Sequence, residues 1–404
     1  MKKHNLCILF LALVANAQNA FAYDMTDGVW KGLIDEHQQN EKLVSGMLIN
    51  RLYYNDSRSS NGISRNEYED VFLRGRYGVN FNLGHGFNVK AVSRLETNFD
   101  SMSEQRRAQI PSGSNGRILQ NEALLLDEMV LGYDYKNFSA LVGKFDVNFG
   151  DAWRSDNGIW ANEIAKSSYE QNYKMGLGAI QRFGDRKDVG EYVFGVSAFT
   201  NDRKNFDNSL ISSNDQVLKS AGNPGDTRSL DSYVASADIY YDFGEREKLS
   251  YHFSYANLAI NERQNKTNSA DKINDEQSFA LNMNYLKPLA ENLSVKGFVE
   301  YVKTDNLGGD IDKSASFLTL NLTTYFHDVF LTLARSKKTE YGAGAKSLND
   351  YINEISIGYK FDNLCPKLKG LSVMGGYNHK KDEERTSLTS TEGFGFMLRH
   401  KIEF

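Results

Sequence analysis

The stretch Thr391–Phe404, TEGFGFMLRHKIEF, alternates with period two. Phe394, Phe396, Leu398, His400, Ile402 and Phe404 fall on one side, and Gly393, Gly395, Met397, Arg399, Lys401 and Glu403 on the other. Successive side chains of a strand point to opposite faces. The stretch therefore reads as a strand with one mostly apolar face and one face that carries charge. An apolar strand face must be covered, either by a protein core or by lipid, and the rest of the chain has to decide which.

The amino terminus, MKKHNLCILFLALVANAQNAFA, has a basic start at Lys2 and Lys3, an apolar run from Leu6 to Val14 and an A-x-A site at Ala20-Phe21-Ala22. This is the pattern of an export signal over residues 1–22, with a mature start at Tyr23. The run is too short for a membrane anchor, which needs roughly 20 apolar residues. Cys7 lies early in the run, which argues against a lipoprotein site. Loss of Lys2 and Lys3 moves the formal charge from −5 to −7. Only Cys365 remains, so no intramolecular disulfide staples the exported chain.

Composition narrows the class. The mean hydropathy of −0.52 is too polar for a helical membrane protein. A soluble chain this long would usually split into domains, yet no linker or composition break follows residue 42. A transmembrane barrel with a wet interior reconciles these facts, because each strand needs only one apolar face. Within residues 23–42, Val29, Trp30, Leu33, Ile34 and His37 have helical spacing. That leader reads equally as a short amphipathic helix or as irregular chain.

From Lys42 onward sixteen strand-like segments follow, at 43–54, 68–82, 87–99, 121–135, 138–149, 172–183, 191–200, 230–243, 248–260, 275–286, 292–304, 314–326, 329–336, 350–362, 370–380 and 391–404. Their connections alternate long and short. The long ones include 55–67, 100–120, 150–171 and 201–229; the short ones include Gly84-His85-Gly86, Lys136-Asn137 and His327-Asp328. Bacterial outer-membrane barrels have short periplasmic turns and longer extracellular loops. All four prolines, Pro111, Pro224, Pro288 and Pro366, fall in predicted connections. The fold expected is all-β: a transmembrane antiparallel β-barrel spanning 43–404.

Individual strands carry the dyad. Over 230–243, Tyr233, Ala235, Ala237, Ile239, Tyr241 and Phe243 alternate with Ser232, Ser236, Asp238, Tyr240 and Asp242. Charge at mid-depth on the lipid face costs about 2–4 kcal/mol for Arg or Lys, so the aromatic set faces out. Tyr133, Tyr135, Tyr241, Phe243, Tyr359 and Phe361 near strand ends predict a periplasmic aromatic girdle.

Two resemblances add to this reading. The amphipathic last strand ending in Phe resembles the closing strand of Gram-negative outer-membrane β-barrels. Residues Val142–Gly178, with G-K-F-D-x-x-F-G-x-A-W at Gly143–Trp153, a W-x-x-E-x-A element at Trp160–Ala165 and K-x-G-L-G at Lys174–Gly178, resemble a family of Gram-negative porins. The resemblance implies a diffusion channel in the outer membrane, often trimeric, whose third loop, 150–171, folds into the lumen. The best-known acidic constriction motif of general porins is not matched residue for residue, so the narrow point is assigned by position. On that basis Asp151, Asp156, Glu163 and Glu170 form an acidic side, accompanied by Arg154 and Lys166.

Strand parity supplies the opposite wall. Arg74 and Arg76, with Asp70 and Asn80, point inward from 68–82; Lys90, Arg94, Glu96 and Asn98 point inward from 87–99. A turn centred on His85 sets Arg76 beside Arg94. Lys144 and Lys174, with Asp146, also point inward. The basic residues expected at the constriction are thus Arg74, Arg76, Arg94, Lys144 and Lys174. In a wet lumen their charges stay hydrated, so replacing Arg76 and Arg94 is expected to leave stability nearly unchanged. In NEALLLDEMVLGYDY the period leaves open whether Asp127 or Glu128 faces in.

Other chemistries find little support. His252 and Ser254 share an inward face two residues apart, with no further group in sequence to activate a nucleophile. The remaining histidines are not spaced as metal ligands, and neither a phosphate loop nor a basic nucleic-acid patch occurs. No cofactor is expected, and the partners are outer-membrane lipid and small hydrophilic solutes. The functional expectation is passive diffusion without catalysis, with weak cation preference from the net charge. Beside it stand a substrate-specific channel, for a siderophore or a sugar, and a barrel lipid hydrolase.

Overall fold

The computed structural model describes residues 43–59, 68–97, 116–118, 122–154, 158–201, 224–225, 227, 229–244, 246–260, 273–342, 347–364, 368–383 and 388–404. The signal and leader expected over 1–42 lie outside them, as do Asp156 and Cys365. The first strands are β1 (Val44–Ser59), β2 (Tyr68–Gly84), β3 (Phe87–Thr97), a three-residue β4 (Gly116–Ile118), β5 (Glu122–Tyr135) and β6 (Phe138–Phe145). After an inner loop come β7 (Lys174–Asp185), β8 (Gly190–Asn201), β9 (Ser232–Asp242), β10 (Lys248–Leu258), β11 (Glu276–Ala290) and β12 (Leu293–Asp305). The last are β13 (Lys313–Phe326), β14 (Val329–Gly342), β15 (Leu348–Lys360), β16 (Leu371–Glu383) and β17 (Leu388–Glu403).

Apart from β4, which lies parallel to β2 over Glu69–Val71, every strand pairs antiparallel with its neighbours in sequence. β17 returns to β1, with Met47 opposite Glu403 through to Ser59 opposite Thr391. Gly46 and Phe404 exchange both backbone hydrogen bonds at 3.0 Å. The sheet is a closed sixteen-stranded barrel without a free edge. Among the described residues no helix is long and apolar enough to cross a membrane; the crossing is made by strands.

The dyad decides which side faces lipid. On β13, Leu318, Leu320 and Leu322 are exposed, whereas Ala315, Phe317, Thr319, Asn321 and Thr323 are buried inside. On β9, Tyr233 is exposed and Ser232, Ser236 and Asp238 are buried; on β17, Phe394, Phe396 and Leu398 are exposed. An apolar surface of this extent is stable only against lipid. At the short-turn end, Tyr241 stacks on Phe243 at 5.9 Å, Tyr359 meets Phe361 at 5.0 Å and Phe87 meets Tyr133 at 4.8 Å.

Several boundaries differ from expectation, each for a local reason. β14 continues to Gly342 and β16 to Glu383, past the expected ends at 336 and 380. These extensions are polar, with ion pairs Lys338–Glu340 at 3.0 Å and Lys380–Asp382 at 3.4 Å, so their sequence looks like loop while their backbone stays in the ladder. Pro288 lies within β11 rather than in a connection, beside a register shift at Pro288/Ala290 where a ladder N–H is not needed. β6 ends at Phe145, four residues early, and β7 starts at Lys174, so the inner loop spans 146–173. The open question on 121–135 resolves as a β-bulge. Val92 pairs with Glu128 and Ser93 with Leu126, which leaves Asp127 as the extra residue, and both Asp127 and Glu128 are buried inside.

Leu320→Arg, at the middle of β13, is expected to destabilise the barrel by about 2–4 kcal/mol, measured by denaturant titration in lipid vesicles. Thr323→Ser on the inner face keeps the hydroxyl and removes one buried methyl group, and is expected to cost about 1 kcal/mol.

Candidate functional site

The described residues of the inner loop, 146–154 and 158–173, bond to side chains on the inner face of the barrel. Its ends are tied by the Val147 N–H donating to Gln171 O at 3.0 Å. The outgoing limb runs along the inner wall. Asn148 Nδ2 donates to Ser236 Oγ at 3.0 Å and to Asp238 Oδ2 at 2.9 Å on β9, and the Gly150 N–H donates to Ser254 Oγ at 3.3 Å on β10. Within the limb, Trp153 Nε1 donates to Phe149 O at 2.9 Å and the Arg154 guanidinium donates to Val147 O at 2.7 Å.

Two buried wall carboxylates hold the limb's backbone. On β12, Glu300 accepts from the Asp151 N–H at 2.5 Å and the Ala152 N–H at 3.0 Å. The same carboxylate accepts the Tyr169 hydroxyl at 2.6 Å from the returning limb and Asn282 Nδ2 at 3.1 Å from β11. Burial beside Glu300 raises the Tyr169 pKa well above that of an ordinary phenol, so Tyr169 stays a donor. On β15, Glu354 accepts from the Ile159 N–H at 2.7 Å and the Trp160 N–H at 2.8 Å. On β14, Ser336 Oγ donates to Ala161 O at 2.6 Å. The chain then enters the short helix α1 (Glu163–Ser168) and returns to β7.

Apolar contact fills the space between loop and wall. Phe149, Trp153, Ile159, Trp160, Ile164 and Tyr169 share one buried cluster with Phe298, Phe317, Ile352, Met374 and Met397 of the wall. Tyr169 lies 5.1 Å from the Phe317 ring. A Cβ on Gly395 would strike the Trp160 ring, so this glycine of the terminal motif leaves room for it. The expectation was a wet interior. The lumen instead contains an apolar seam under the loop, because a loop cannot bury its own backbone against a purely wet wall.

The opposite wall carries charge in pairs. Arg76 stands opposite Arg94, as the turn predicts. Arg76 NH2 lies 2.6 Å from Glu128 Oε1 and 3.2 Å from Asp146 Oδ2, and Arg94 Nε lies 3.2 Å from Asp127 Oδ2. Asp146 Oδ1 also accepts the Tyr173 N–H at 3.1 Å, and the Tyr173 ring lies 4.9 Å from Arg94 Cζ and 5.5 Å from Lys144 Nζ. The bulge on β5 thus brings two acids to the arginines, and the loop root brings a third. Arg74 lies over the stacked rings of Tyr53 and Phe72, 5.6 Å and 5.2 Å from their centroids. In register, Arg51 of β1 stands between Arg399 of β17 and Arg74 of β2.

Of the expected acidic group, Asp151 turns to the wall, where Asn282 Nδ2 donates to it at 3.1 Å, and Arg154 lies 3.9 Å away. Glu163 is exposed on the first turn of α1 and Glu170 is half-buried on the returning limb. Asp156 lies outside the described residues. Of the expected basic group, Arg76, Arg94 and Lys144 gather at the loop root. Lys174 is buried with its Nζ 2.5 Å from Asn201 Oδ1. Parity reasoning missed Glu300 and Glu354. Their sequence signal is a lone carboxylate in an inward row of small or apolar residues, as in Asn282-facing Glu300 on β12.

The reading of His252 and Ser254 also needs correction, because a third group is present. Register places Asp238 opposite His252. His252 Nδ1 lies 2.7 Å from Asp238 Oδ1, and Nε2 lies 2.9 Å from Ser254 Oγ. This is the hydrogen-bond order of a hydroxyl nucleophile relay. Ser254 is only 3% exposed and its Oγ lies under the Gly150 N–H, so the relay supports the loop rather than opening onto a substrate. Among the described residues, no group of three or more His, Cys, Asp or Glu could hold a metal ion.

No family model matches the sequence, and no curated protein matches it. Solved structures do match. OccAB4 of Acinetobacter baumannii is 9% identical over 92% of this chain and 100% of its own, with a TM-score of 0.50. The outer membrane channel DcaP of A. baumannii is 12% identical over 89% and 96%, with a TM-score of 0.48. OmpT of Vibrio cholerae, solved as a trimer, is 7% identical over 89% and 100%, with a TM-score of 0.49. At such identities the likeness to OccAB4 concerns the fold, which is that of an outer-membrane barrel.

Arg76→Ala is expected to cost about 3–5 kcal/mol, because it removes the cation that the buried Glu128 and Asp146 carboxylates share. Arg76→Ala with Glu128→Gln is expected to recover more than half of that loss. Denaturant titration of both variants in lipid vesicles checks this, and it replaces the expectation of unchanged stability.

Proposed function

We propose that the lumen is a passive, water-filled passage for small hydrophilic solutes or ions across an outer membrane, narrowed by the loop at 146–173. The observation that carries this reading is the position of the loop. Its described residues bond to inward side chains of β9, β10, β12, β14 and β15 and pack against Gly395 of β17, while its root meets Arg76 of β2, and these contacts support the reading. A closed barrel with polar inner rows admits water, and a loop bonded to one side narrows the passage without sealing it. The route needs neither a cofactor nor a covalent step. Assembly as a homotrimer belongs to the same proposal and rests on the resemblance over Val142–Gly178.

A second reading is a channel selective for anionic solutes. It draws on the register row Arg399–Arg51–Arg74, whose guanidinium forks suit carboxylate or phosphate groups. The net charge favours cations instead, and the two readings differ in one measurement.

In planar bilayers the refolded protein is expected to give stepwise, ohmic currents, with a reversal potential in a salt gradient showing weak cation preference. Anion preference with current that saturates in one organic anion favours the second reading. Absence of conductance sinks both.

A further inference from the structure

The loop meets the wall far more specifically at its tip than a filler segment needs to. Both oxygens of Glu354 accept, one from the Ile159 N–H and one from the Trp160 N–H. The preceding residue is Gly158, where a Cβ would come within 2.7 Å of the Glu354 carboxylate. Ile159 Cδ1 would lie 3.3 Å from a Cβ at Gly376 on β16, and Trp160 occupies the space that a Cβ at Gly395 would take on β17. Three strands therefore contribute a carboxylate and two bare backbone positions to one place, and the tip contributes two N–H groups and two large apolar side chains.

We infer that Glu354, Gly376 and Gly395 form a seat for the loop tip, and that this seat positions the loop and sets the width of the channel. The inference rests on the reading of the lumen as a passage. Glu300 acts at the waist, where it bonds the outgoing limb through Asp151 and Ala152 and the returning limb through Tyr169. The waist fixes the loop's path, and the tip fixes how closely its far end lies to the wall. With the tip seated, the loop occupies the rim of the lumen. With the tip out of its seat, the same residues project into the passage.

The substitution Glu354→Gln separates positioning from bulk. Glutamine keeps the size, but one oxygen becomes an NH2 group that faces a backbone N–H. One charge-assisted bond is lost and two donors oppose each other, which raises the unseated population by about tenfold or more. Gly395→Val acts independently by filling the space of the Trp160 ring. Lys303→Gln, exposed on the outer face of β12 and away from the loop, is the control.

The experiment compares wild type, Glu354→Gln, Gly395→Val and Lys303→Gln in planar bilayers and in liposome-swelling assays with neutral sugars of increasing size. Heat-modifiable migration in detergent gels reports barrel folding for each. The expected result is folded barrels throughout, with frequent brief closures and a smaller sugar cut-off in Glu354→Gln and Gly395→Val only. A folded Glu354→Gln whose current is as quiet as wild type, with an unchanged cut-off, overturns the seat while leaving the passage intact. If Gly395→Val does not fold, the isosteric Glu354→Gln decides alone. Absence of conductance in wild type overturns the passage itself, and the seat falls with it.

Discussion

Backbone polar groups placed away from water must find partners, and most of this architecture answers that demand. In lipid an open sheet edge is not tolerated, so β17 returns to β1 and Gly46 closes on Phe404. The same demand applies inside the barrel. A loop pressed against the wall carries N–H groups with no ladder to join. Glu300 and Glu354 supply the acceptors, four backbone N–H groups in all. A carboxylate is suited to this task because each oxygen accepts separately and its negative charge strengthens each bond.

Those buried carboxylates would be costly if they stood alone. Glu300 is surrounded by two N–H groups, a phenol and an amide, and Glu354 by two N–H groups. On the other wall the balance is struck with cations: Arg76 between Glu128 and Asp146, and Arg94 on Asp127. The two sides of the lumen therefore solve one problem in different ways. One side neutralises its acids with guanidinium groups; the other satisfies them with backbone and phenol donors. The result is a loop whose root is held by ion pairs and whose waist and tip are held by hydrogen bonds.

Much of the fold was legible because period two is a direct consequence of strand geometry, and because lipid admits only one face. The rows of β9 and β17 follow from it residue by residue. The register of the first hairpin, with Arg76 beside Arg94, followed from the turn at His85. What escaped was whatever breaks the period. The bulge at Asp127 hides two inward acids behind an ambiguous alternation. The polar ends of β14 and β16 resemble loop because, beyond the membrane, nothing requires an apolar face. Asp238 could have been found from the hairpin register that sets it against His252. The acceptors of the loop are marked only as lone carboxylates in inward rows, and what they bind was not legible: a carboxylate that binds backbone N–H groups needs no particular partner side chain. Of the candidate site, the residue types were visible, but not which of them turn toward the wall.

The inner loop is bonded to the wall through its backbone. Amide hydrogen exchange of the refolded protein in detergent micelles, resolved to single residues by NMR, tests it most directly. The N–H groups of Asp151, Ala152, Ile159 and Trp160 are expected to exchange as slowly as the ladder amides of β12 and β15. Exchange of these four amides at the rate of a solvated loop, with the ladder amides still protected, would contradict it.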